Sequence, residues 1–126
     1  MAFSGEGAFR YGGRWNSRGV PVVYLGGNPS ISALEIVVNT DDSEDLYRIP
    51  YVLIPVDFEK ALITRPQSLP DDWKQDPPPQ SCAAVGDEWL RSDRSAVLEN
   101  SQRGDPTRAQ FHPESAPQRF CSDQNR

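Results

Sequence analysis

Arg14, Tyr24 and Glu35 are the residues of this 126-residue chain whose types and spacing could do chemistry. Arg14 directly follows Gly12-Gly13. Paired glycines let a ligand approach the backbone, and a guanidinium binds phosphate or carboxylate through two parallel bonds. The alternative is a structural Arg14 paired with an acidic loop. Tyr24 stands ten residues further on and closes a β-branched run, where its ring either stacks on a flat heterocycle or fills the core. Glu35, another eleven residues along, neighbours Leu34 in an apolar stretch. A carboxylate there needs a partner or a role.

The elements that must position these groups are read from local pattern. Four glycines within residues 1–13 predict a loop. Val20-Pro21-Val22-Val23-Tyr24-Leu25, closed by Gly26-Gly27, predicts a buried strand with Tyr24 near its end. Asn28-Pro29-Ser30 supplies a cap and a first-turn proline, and Ile31, Leu34, Glu35 and Val38 follow at helical spacing, so a helix is expected over 29–38. Residues 41–45 form an acidic connection, and Tyr51-Val52-Leu53-Ile54-Pro55-Val56 predicts a second buried strand. Five prolines between Pro66 and Pro79 predict an extended connection packed through Trp73. Val85 to Leu90 reads as the start of a helix, and Arg94 to Leu98 as the start of a strand.

Composition bounds the rest. The length suits one domain, with 37% hydrophobic and 25% charged residues and a mean hydropathy of -0.64. All 22 Ile, Leu and Val residues precede residue 99, as do the three Trp and four Tyr. Apolar burial offsets chain entropy, so residues 99–126 are expected to form a disordered tail that supplies no strand or helix to a core. The net charge of -5 comes from residues 1–98, which argues against nucleic acid as a direct partner. No apolar run approaches the ~18 residues that span a bilayer. The first residues lack the apolar stretch of a signal peptide, so a cytoplasmic protein is expected. Cys82, Cys121 and His112 make no metal-ligand spacing, and the thiols read as buried or incidental.

Taken in order, AFSGEG, YGGRWN, PVVY, SALE and VGDEWL resemble the RES-domain toxin family from about Ala2 to Leu98. The resemblance implies an α+β fold like that of ADP-ribosyltransferase toxins, and cleavage of NAD at its bond to nicotinamide. It also implies inhibition by an Xre-type antitoxin in a toxin-antitoxin system. The family's Arg corresponds to Arg14, its Tyr to Tyr24 and its Glu to Glu35, so these three are the expected catalytic and NAD-binding residues. In that chemistry Arg14 holds the pyrophosphate, Tyr24 stacks on nicotinamide or ribose, and Glu35 stabilises the ribosyl cation. Water or inorganic phosphate captures the ribose. Two other functions share the resemblance: a catalytically dead remnant that at most binds the antitoxin, and a transferase that places ADP-ribose on a protein.

The chain departs from the family pattern at both ends. The leading strand with its Trp-Arg pair is absent before AFSGEG, and Leu98 is followed by Glu99-Asn100-Ser101 where the family continues V-P-S. Residues 1–98 are therefore expected to be a partial RES domain, incomplete at both ends, followed by the tail at 99–126. A frameshift accounts for the second departure. Back-translated with permitted synonymous codons, residues 100–120 read IPSAVIPRAHNFILNPRHSDF one base later, which matches the family's C-terminal pattern and restores its Ser. Resequencing the gene is expected to show Pro-Ser and then Asn-Pro in that frame after the Leu98 codon. A stop codon or unrelated sequence there would remove the frameshift.

Overall fold

A computed structural model describes residues 3–38, 46, 48–100 and 108–111. They form an α+β unit around a four-stranded sheet in the order β1-β4-β3-β2. The elements, in chain order, are α1 (Glu6–Tyr11), β1 (Val23–Gly26), α2 (Pro29–Val38), a 3-10 turn (Lys60–Leu62), β2 (Ile63–Thr64), α3 (Gln80–Ser92), β3 (Val97–Glu99) and β4 (Arg108–Phe111). Among the described residues, no helix is long and apolar enough to cross a membrane.

Helix α1 occupies the segment expected to be a loop. Gly5 and Gly12 flank the helix with φ of 67° and 73°, where the chain must enter and leave, and only Gly7 lies inside. The Glu6–Arg10 ion pair spans one turn; both side chains are mostly exposed, so it adds only about 0.3–0.5 kcal/mol.

Helix α2 follows its local signals to its ends, whereas the buried strand expected over 20–25 is shorter and shifted: β1 starts at Val23, ends at Gly26 and leaves Tyr24 exposed. Asn28 Oδ1 accepts the Ile31 N–H at 3.0 Å, which caps α2 from the expected residue. A Cβ on Gly26 would stand 2.5 Å from Ser32 Oγ, so the bare glycine lets the end of β1 and the first turn of α2 close on each other. The inward face of α2 differs from the one expected. Ile31 is buried and Ser32, Glu35 and Ile36 are half-buried, while Leu34 and Val37 are exposed.

The strand expected over 51–56 is absent. Tyr51, Val52, Leu53 and Ile54 are exposed, Val52 at 81%. Strand preference measures fit to a paired, half-buried surface rather than an intrinsic backbone state. Prolines at 50 and 55 each remove a ladder donor. The Pro-rich connection is irregular as expected, and Trp73 packs half-buried against Trp15 with ring centroids 6.2 Å apart.

Helix α3 extends well beyond the expected start. It turns Cys82, Gly86 and Trp89 inward, and ends at Asp93, whose φ of 49° is left-handed. Trp89 joins Val22 and Leu98 in a core on one sheet face, with Ala8, Val20, Val85 and Leu90 packed against it. Ala96 and Val97 form the core of the other face with Val23, Leu25, Phe58 and Ile63. Ser95 links these parts: its hydroxyl accepts the Trp89 indole N–H at 2.9 Å and lies 2.6 Å from Thr64 Oγ1.

Two expectations about residues 99–126 are corrected. Glu99 ends β3 and makes a two-point bond to Arg65, with both N···O distances at 3.1 Å. β4 lies antiparallel between β1 and β3, so the segment does supply a strand. The physical reason is that a central strand contributes its backbone N–H and C=O groups to two ladders, which requires no aliphatic side chain. The rest of the tail expected over 99–126, residues 101–107 and 112–126, lies outside the described residues.

Asn100 is 3% exposed, and among the described residues neither atom of its amide has a hydrogen-bond partner. Leaving such a group unsatisfied costs about 1–3 kcal/mol, so Asn100→Ile, or the shape-matched Asn100→Leu, is expected to raise the thermal midpoint by several degrees. A lower or unchanged midpoint in both variants would show that the site is not apolar.

Cys82 is fully buried, and its Sγ donates to Trp73 O at 3.8 Å. Burial pushes this thiol above its ordinary 9.0, against the opposing pull of Arg14. Its stabilising contribution is therefore complete below a pH of about 9 and fades as pH rises through the folded-state value. Stability is expected to fall between pH values of about 8 and about 10 more in the unmodified chain than in Cys82→Ala; parallel curves would contradict this.

Candidate functional site

The site is built on a tight turn closed by Gly13 and Asn16. Gly13 N–H donates to Asn16 O at 3.0 Å, which leaves Arg14 and Trp15 at the tip. Asn16 is 1% exposed. Its Nδ2 faces Ala8 O at 2.9 Å, Ser17 O at 3.1 Å and Val20 O at 2.9 Å. Its Oδ1 accepts the Tyr24 hydroxyl at 2.7 Å, and that hydroxyl oxygen in turn accepts the Trp15 N–H at 3.0 Å. A Cβ on Gly13 would stand 2.6 Å from the Tyr24 oxygen and 2.9 Å from Asn16 Oδ1. The second glycine of the pair therefore makes room for Tyr24.

Tyr24 is consequently tethered by its hydroxyl. The residue is 43% exposed, which overturns its reading as core. It lines a cleft of about 400 Å³ formed with residues 4–8, at the start of α1, and with Val22 and Val23.

Arg14 is half-buried, and its Nη1 donates to Trp73 O at 2.8 Å and Gln75 O at 2.7 Å. The alternative pairing with an acidic loop is thus replaced by two main-chain carbonyls of the Pro-rich connection. Lys74 holds its ammonium 5.0 Å from the centre of the Trp73 ring, on the same strap.

Glu35 occupies the half-buried face of α2, the face it shares with Ile31 one turn before. The close approach at Gly26 brings this helix against β1, the strand that carries Tyr24. The structure therefore joins the Arg14 turn to Tyr24 by direct hydrogen bonds, and sets Glu35 on the neighbouring element. The Arg14 guanidinium itself is bound to the strap.

Two supporting residues escape the sequence reading. Asn16 was visible only as a polar residue in YGGRWN, and Asp87 only as one acidic residue in VGDEWL. Asp87 Oδ1 accepts the Ser17 N–H at 2.9 Å and Oδ2 accepts the Ser17 hydroxyl at 2.5 Å. A bond between residues 70 apart leaves no local spacing signal.

Comparison with known proteins places these motifs in a family. The family model described as RES domain matches residues 1–120, a span that includes β4. "Toxin Res" of Yersinia enterocolitica is 36% identical over 96 residues, covering 76% of this chain and 63% of that protein. "Toxin Res" of Photorhabdus laumondii is 36% identical over 98 residues, covering 77% and 62%. "Prs ADP-ribosylating toxin" of a Sphingobium species is 34% identical over 98 residues, covering 75% and 61%. The chain thus spans less than two thirds of the length of these relatives. With the family match running through the Arg14 turn, Tyr24, Glu35 and the sheet that carries them, the chain belongs to the RES domain family.

Proposed function

We propose that this chain is a toxin of a toxin-antitoxin system that consumes NAD by breaking the bond between nicotinamide and ribose. The observation that carries the reading is Tyr24. Its hydroxyl is committed to Asn16 and Trp15, which fixes the ring by its polar end, and the residue, exposed overall, lines the cleft. That arrangement suits stacking on nicotinamide or ribose rather than proton transfer. The family's ADP-ribosyltransferase-like fold is part of the same reading, and the name of the Sphingobium relative supports it.

As the C–N bond breaks, nicotinamide leaves with the electron pair and the ribosyl carbon becomes an oxocarbenium ion. Glu35 supplies the stabilising negative charge, and Arg14 holds the pyrophosphate. Water or phosphate then captures the ribosyl cation; a protein side chain in that place would give ADP-ribose transfer instead. The antitoxin of this reading is an Xre-type protein, and the setting is the cytoplasm. The exposed apolar run over 51–54 is surface of the kind that protein partners cover.

The commitment of Arg14 Nη1 to two carbonyls favours a second reading, an inactive remnant that binds the antitoxin alone. Expression of the 126-residue chain beside a frame-restored version, with intracellular NAD measured in each, separates the two. The first reading expects NAD to fall in both, and the remnant reading only in the restored chain. In whichever chain is active, Glu35→Gln and Arg14→Ala are each expected to slow NAD loss about 10²–10³-fold. Undiminished NAD loss in Glu35→Gln would remove the carboxylate from its assigned role.

A further inference from the structure

We propose that Asp87 is a positioning residue for this site, acting through Ser17 on the turn that presents Arg14 and Tyr24. The inference deepens the NAD-cleaving reading and rests on it for its catalytic consequence. The structural part stands on geometry alone.

The turn at residues 13–16 is held from within by Asn16, but the partners of Asn16 all lie between Ala8 and Tyr24. Those bonds shape the turn without fixing it to the rest of the molecule. Asp87 does so from α3, a helix fastened to the sheet by Trp89 in the core with Val22 and Leu98. One carboxylate takes both donors of Ser17, the main-chain N–H and the side-chain hydroxyl. Bonds to an ionised acceptor are roughly twice as strong as neutral ones, and two of them on a single residue fix its backbone and rotamer together.

Ser17 passes this constraint on. Its carbonyl accepts from Asn16 Nδ2, and Asn16 Oδ1 accepts from the Tyr24 hydroxyl that receives the Trp15 N–H. A shift of Ser17 therefore displaces the group that fixes the Tyr24 ring and the peptide that follows Arg14. Small displacements of a reacting geometry are costly in rate. Asp87 needs no contact with substrate to control it.

Amide exchange on the full 126-residue chain tests the claim directly. In Asp87→Ala the Ser17 and Trp15 amides are expected to exchange about tenfold faster, while the amides of Trp89 and Leu90 within α3 keep their protection. Asp87→Asn is expected to retain most of the protection, because its amide oxygen still accepts the Ser17 N–H. Ser17→Ala, which keeps the N–H bond and loses the hydroxyl bond, is expected to fall between them. NAD turnover should follow the same order, with Asp87→Asn rescuing what Asp87→Ala loses.

Unchanged exchange at Ser17 and Trp15 in Asp87→Ala would overturn the proposal. So would a loss spread evenly through α3 and the sheet and equal in Asp87→Asn, since that is the mark of a residue serving stability alone. An unmodified chain that consumes no NAD would remove the NAD-cleaving reading and leave the exchange pattern to decide the role of Asp87.

Discussion

The buried amide of Asn16 is the interaction on which the arrangement of the site depends. A turn packed inside the fold leaves main-chain carbonyls that water cannot reach, and each needs a donor. Asn16 Nδ2 faces three of them, at Ala8, Ser17 and Val20, and so draws the end of α1, the turn and the approach to β1 onto one point. Its oxygen remains for the Tyr24 hydroxyl. An aspartate of the same size would offer acceptors to acceptors and could not hold this geometry. A leucine would match the volume and remove the amide donor from the Val20 carbonyl and the acceptor from the Tyr24 hydroxyl, while the carbonyls of Ala8 and Ser17 would keep only the N–H groups of Gly12 and Val20. The neighbouring Gly13 is bound to the same requirement, since any side chain there would occupy the space of the Tyr24 oxygen.

Around that point the charges divide their work. Asp87 spends its carboxylate on Ser17, and Arg14 spends one nitrogen on the carbonyls of Trp73 and Gln75. The second commitment bears on binding. A guanidinium has five donors in a fixed fork, and Nη1 supplies two of them. An anion held by Arg14 must use the rest of the fork or displace the strap that carries Trp73. Trp73 is itself held by its packing on Trp15, the residue next to Arg14. Movement of the strap and the availability of Arg14 are thus linked by one pair of rings and two hydrogen bonds.

How much of this was legible in the sequence depended on whether the cause was local. Helix α2 was legible to its ends, because Asn28 caps it and Pro29 opens it within the same few residues. The three candidate site residues come from motif order, and the structure joins Tyr24 to the turn that carries Arg14 through Trp15 and Asn16. Helix α1 was hidden because glycine was read as a breaker, when two of its glycines only mark its ends. The exposed run at 51–54 and the central strand β4 failed for a common reason: strand formation depends on a partner supplied from far along the chain. Asp87 was hidden in the same way, since its partner Ser17 belongs to the opposite end of the domain.

β4 carries the sharpest tension between sequence and fold. The sheet order makes it the strand through which β1, with Tyr24, is joined to β3. The chain fills this central position with Arg-Ala-Gln-Phe, from a segment without Ile, Leu or Val. A strand with neighbours on both sides is ordinarily enriched in β-branched and aromatic residues, which fit the pleated surface. The segment satisfies the backbone ladders of β4 without the aliphatic residues that strands commonly carry. Asn100, at the start of the same segment, shows a related mismatch seen from the core: a buried polar side chain with no hydrogen-bond partner among the described residues.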